Sequence, residues 1–112
     1  MLKIYKIPAE KLKTVKAVLE APDRRDPNTG KWIANEWALR GYKLTDAKGL
    51  GLEGTDTYIY VKADEDFFKR NEQKILECGA IILSGEEFEK VKKKFEIAEE
   101  QAESGFGAIF GE

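Results

Sequence analysis

Hydrophobic and polar residues change rhythm several times along this chain of 112 residues. Residues 2 to 7, Leu-Lys-Ile-Tyr-Lys-Ile, alternate in the manner of a half-buried strand, with Leu2 and Ile4 on one side and Lys3, Tyr5 and Ile7 on the other. Pro8 suits a first helical turn, where a missing N–H costs nothing. Leu12, Val15, Val18 and Leu19 then recur at helical spacing opposite Lys11, Lys13 and Lys16, which predicts an amphipathic helix ending at Ala21-Pro22.

Residues 22 to 30 gather prolines, turn formers and charge, and predict a surface loop. Trp32, Ile33, Ala34, Trp37, Ala38 and Leu39 predict a second helix that carries both tryptophans, with Gly41 as its left-handed stop. A strand over Tyr42 to Asp46, a glycine-rich connection and a strand over Thr55 to Lys62 predict a hairpin. Asp64, Glu65 and Asp66 mark the start of a helix that uses Phe67, Phe68, Ile75 and Leu76 and ends at Gly79. Ala80 to Leu83 predicts a short buried strand.

Ser84 and Glu87 match a capping box. After it, Phe88, Val91, Phe95, Ala98 and Ala102 form a narrow apolar seam, and Gly105 is the expected end of the helix before an apolar tail containing Phe106, Ile109 and Phe110. The expected organisation is a single α+β domain over residues 1–112, with a loop-helix insertion at 22–41, a C-terminal helix at 85–104 and the tail at 105–112. The order β, α, α, β, β, α, β, α becomes a ferredoxin-like split βαβ sandwich once the Trp-containing helix is treated as inserted and the last helix as added. Such a fold implies a four-stranded antiparallel sheet with helices on one side.

Composition narrows the functional classes. Nineteen basic and twenty-one acidic residues give a net charge of −2, so no global field draws DNA, RNA or an anionic membrane. No apolar run approaches the roughly 20 residues of a membrane span, and the first residues lack the apolar core of an export signal, so the expected location is cytoplasmic. A lone Cys78 fits a reducing compartment. Abundant Lys and Glu beside single Cys and Met residues is a thermophile-like composition.

Candidate chemistry is sparse. Gly49-Leu50-Gly51-Leu52-Glu53-Gly54 spells the dinucleotide-binding string but leads into a strand, whereas the motif works by leading into a helix whose N-terminus faces the pyrophosphate. Histidine is absent, so neither a metal site nor a Ser-His-Asp arrangement is expected, and no cofactor is expected. Three surfaces remain as candidates.

The first is a sheet face carrying Lys3, Tyr5, Tyr58, Tyr60 and Lys62, with Lys43 nearby, suited to a partner copy or to stacking single-stranded RNA. The second is the C-terminal seam and tail, Phe88, Val91, Phe95, Phe106, Ile109 and Phe110, suited to an oligomer contact. The third is the 22–40 segment with Asp23, Arg24, Arg25, Asp26, Glu36, Trp37 and Arg40, suited to a small-molecule or protein ligand or, in a small enzyme, to carboxylate and arginine chemistry. The leading expectation is a non-catalytic, homo-oligomeric binding or regulatory module.

Overall fold

The computed structural model describes the backbone of residues 1–110 and the side chains of residues 1–100. Strand β1 (Leu2–Ile7) is followed by a single tight helical turn and helix α1 (Leu12–Leu19). Two short strands, β2 (Arg24–Arg25) and β3 (Trp32–Ile33), pair with each other and lead into helix α2 (Glu36–Arg40). Strands β4 (Lys43–Asp46) and β5 (Thr57–Lys62), helix α3 (Glu65–Leu76), strand β6 (Ile81–Ile82) and helix α4 (Gly85–Phe110) complete the order. The main sheet is four-stranded, in the order β4-β5-β1-β6, and each neighbouring pair is antiparallel.

β1 and β5 are the adjacent central strands, registered so that Tyr5 opposes Ile59 and Ile4 opposes Tyr60. Every residue of β5 from Thr57 to Val61 is buried, because helices cover both faces of the sheet. On one face Tyr5, Ile7, Ile59 and Val61 meet Val15 and Leu19 of α1, Trp37 of α2, and Phe67, Phe68 and Ile75 of α3. On the other, Ile4, Tyr58 and Tyr60 meet Val91 and Phe95 of α4, with Leu50 and Leu83 closing the sides. The expectation of helices on one side alone is therefore corrected: the apolar seam of α4 has a second sheet face to cover, and covers it.

Four further differences from the sequence reading are local. Trp32 and Ile33 are strand rather than helix, since Asn35 caps α2 by accepting from the Trp37 backbone N–H and so fixes the helix start four residues later than expected. Ile81 and Ile82 lie exposed on a sheet edge, while Ala80 and Leu83 on either side are buried. Glu87 gives its carboxylate to Lys6 at 3.2 Å rather than closing back on Ser84. The backbone of α4 also runs on through Gly105 to Phe110, which a glycine permits at a cost of about 1 kcal/mol in a helix interior. The side chains of Phe106, Ile109 and Phe110 lie outside the described residues.

The Tyr5 hydroxyl donates to Glu72 at 2.6 Å, and Lys3 pairs with the same carboxylate at 2.6 Å. Burial first, and the Glu72 contact second, push the Tyr5 phenol far above its ordinary 10.0. Burial works against the Glu72 charge, but the bonds from Lys3 and Tyr5 outweigh it and hold the carboxyl below 4.5. Glu72 thus supports the fold fully above pH 4.5 and less as pH falls through its lower folded value. Tyr5 is neutral to folding below pH 10.0 and opposes it above, because the unfolded phenol ionises there and the folded one does not. Denaturation midpoints measured against pH are expected to fall on both sides of a plateau, and Tyr5→Phe to soften the alkaline limb. An alkaline limb unchanged in that variant would contradict the assignment.

Candidate functional site

Residues 22–40 form an arm on the α1–α3 side of the sheet. Its hairpin turns at Asp26–Gly30, where Asp26 accepts from the Asn28 and Gly30 backbone N–H groups and its own N–H donates to the Lys31 carbonyl. The bond from the Asn28 N–H is the main reason the Asp26 carboxyl lies below its ordinary range. Gly30 adopts φ +71°, the left-handed conformation that lets the chain reverse into β3.

Asn35 fastens the arm to the body. Its side-chain amide donates to the carbonyls of Val18, Leu19 and Ala21 at 3.4, 3.0 and 2.7 Å, satisfying the open C-terminal end of α1, while its carbonyl oxygen caps α2. Asp23 accepts from the Asn35 backbone N–H at 3.0 Å. Sequence reasoning passed over Asn35, although an Asn directly before Glu36 and Trp37 carries the signature of a helix cap with an acid in the first turn.

Helix α2 is bolted to α3 by Glu36. The Arg70 guanidinium forks onto it, with Nε at 3.0 and 3.1 Å and Nη2 at 3.0 Å, and the buried Asn71 amide adds a bond at 2.8 Å. Arg70 and then Asn71 hold the Glu36 carboxyl below its usual range. Nothing in the sequence announces this pairing, because its partners lie more than thirty residues apart and neither belongs to a motif. Trp37 is 1% exposed and sits edge-on to Phe67, with ring centroids 5.0 Å apart. Its indole N–H is the one buried side-chain polar atom without a hydrogen-bond partner among the described residues.

The hairpin register gives the arm two faces. Arg25 opposes Trp32 and Arg24 opposes Ile33. Arg24 and Ile33 face inward over a groove of about 470 Å³, walled by Val18 and Ala21 of α1, by Ala34 and Trp37, and by Lys74, Glu77 and Cys78 at the end of α3. Arg25 and Trp32 face outward, the guanidinium 6.0 Å from the indole centroid and its Nε donating to the Gly30 carbonyl. Trp32 is 70% exposed and Leu39 is 74% exposed.

Comparison with protein-family models, curated proteins and solved structures found no match to this chain.

Of the residues expected to form a ligand site, Arg24, Glu36 and Trp37 are brought together around the groove. Asp23 and Asp26 serve the arm's own backbone, Arg25 lies on the outer face, and Arg40 turns away to donate to the Lys62 carbonyl at 2.8 Å.

The expected tyrosine patch is divided. Lys3 and Tyr5 share the α3 side with Ile59 and Val61, whereas Tyr58 and Tyr60 lie on the opposite face, as the register demands. Tyr58 and Tyr60 are 6% and 8% exposed beneath α4, with the Tyr60 ring 5.1 Å from Phe95. Lys62 is exposed, and Lys43 reaches Glu99 of α4 at 2.7 Å. The stacking platform required for RNA on this face is therefore not presented to solvent, and Phe88, Val91 and Phe95 are occupied within the same chain.

No cluster of three or more His, Cys, Asp or Glu side chains able to hold a metal occurs among the described residues, and no helix among them is long and apolar enough to cross a membrane.

Proposed function

We propose that this chain is a non-catalytic, homo-oligomeric binding module whose outward arm makes the contact. The observation that carries this reading is the exposure of Trp32 and Leu39, at 70% and 74%, on a segment held rigid from both ends. Large apolar side chains fixed in water by an ordered scaffold lose little entropy on docking, the property of interface anchors. A second copy suits this surface because, apart from the groove residues Arg24 and Glu36, the arm carries Arg25, Lys31 and Arg40 against Asp23 and Asp26. Two such arms meet about a twofold axis without strong net repulsion. The strand order β4-β5-β1-β6 supports reading the body as a ferredoxin-like split βαβ sandwich, with the arm and α4 as additions.

Light scattering across a concentration series tests the proposal. The wild-type chain is expected to form a dimer that the double variant Trp32→Ala, Leu39→Ser converts to a folded monomer. A monomeric wild type at the highest concentration, or a dimer untouched by the double variant, contradicts it.

A further inference from the structure

We propose that the groove beneath the arm binds a small amphipathic anion, a carboxylate carried on an aliphatic chain or a small aromatic ring. At about 470 Å³ the groove falls within the roughly 300–1,000 Å³ of small-molecule sites. Its walls are predominantly apolar: Val18, Ala21, Ile33 and Ala34 line it, with the buried Trp37 at its floor. That surface accepts a hydrocarbon body, and the charges at its margin select the head.

Four charged groups border the groove, Arg24, Glu36, Lys74 and Glu77. The Glu36 charge is answered by the forked bonds from Arg70 and the amide of Asn71, so it offers no second cation a partner. The Arg24 side chain makes no hydrogen bond or ion pair among the described residues, although a guanidinium provides five donors in a planar fork matched to a carboxylate. Lys74 uses one N–H on the Asn71 carbonyl at 3.3 Å and keeps its others. With Glu36 neutralised, Arg24 and Lys74 against Glu77 leave the margin with one positive charge in excess, which a single carboxylate balances. A cationic or neutral amphiphile leaves Arg24 unanswered. The site is independent of the proposed self-association, since Arg25 and Trp32 point the other way from the same hairpin.

The test is a titration of the ¹⁵N-labelled full chain with sodium octanoate, followed through its two indole N–H resonances and its backbone amides. Octanoate is expected to move the Trp37 indole and the Ile33 and Ala34 amides saturably at about millimolar concentration, the affinity typical of so few atoms. Octylammonium is expected not to do so. Arg24→Glu should weaken octanoate binding about tenfold or more by removing a charge-assisted bond. Ala17→Trp should abolish it by filling the groove from α1. Both positions are exposed, so both variants keep the fold. Absence of saturable shifts by about ten times that concentration, shifts confined to the outward Trp32, equal binding of octylammonium, or indifference to Arg24→Glu each overturns the proposal.

Discussion

Phe95→Ala is expected to destabilise the chain by about 3 to 5 kcal/mol, the largest single effect among the substitutions considered. Phe95 is buried at the centre of the α4 contact, against the Tyr60 ring and among Ile4, Leu83 and Val91. Truncating it removes the transfer energy of the ring and leaves a void between a helix and a sheet that cannot close independently. For a domain of this length the melting midpoint should fall by about 10 to 20 °C. Guanidinium unfolding followed by circular dichroism measures the loss. A cost below about 1 kcal/mol would mean that α4 rests loosely on the sheet and that Tyr58 and Tyr60 are transiently open.

The second large effect is expected from Asn35→Asp. The carboxylate retains the oxygen that caps α2, but it replaces an amide donating to the Val18, Leu19 and Ala21 carbonyls with a negative charge facing them. It also sits at the negative end of the α1 dipole. Loss of these bonds, with repulsion in their place, is expected to cost about 2 kcal/mol or more, chiefly as release of the arm. The arm carries tryptic sites at Arg24, Arg25 and Lys31, so limited proteolysis reads its opening directly. Cleavage there should accelerate roughly thirtyfold while the sheet persists by circular dichroism. A global loss of stability with arm cleavage no faster than wild type would place Asn35 in the service of the whole fold instead.

Much of the fold is legible in the chain because its elements are long enough to show a period. α1 and α3 repeat their apolar residues over several turns, and the β4–β5 hairpin joins two β-rich runs through glycines. The two faces of β1 were harder to tell apart. One face carries Leu2, Ile4 and Lys6, the other Lys3, Tyr5 and Ile7, so each offers two apolar residues and one lysine. Alternation fixes the faces within a strand, but only the pairing with β5 fixes their phase, and that pairing put Tyr5 with Ile59 rather than with Tyr58.

The arm escaped for a different reason. A two-residue strand is shorter than any period, and Trp32, Ile33 and Trp37 fall by chance at near-helical spacing. The groove itself joins residues from α1, the arm and α3, so only its central part lay within the expected 22–40 segment. Arg24, Glu36 and Trp37 were named from local sequence, whereas Lys74 and Glu77 reach the groove through tertiary folding alone.

The placement of α4 over the second sheet face bears on how the chain is made. β1 and β5 both precede the seam residues that cover them in the order of synthesis. Phe95 follows Lys62 by 33 residues, or roughly 2 to 7 seconds of translation at about 5 to 20 residues per second. Until Phe95 follows, Ile4, Tyr58 and Tyr60 have no helix to cover them, and late in that interval β6 adds an edge bearing Ile81 and Ile82. Chaperone capture or association between nascent chains on one messenger should therefore peak in that window and cease once Phe95 emerges.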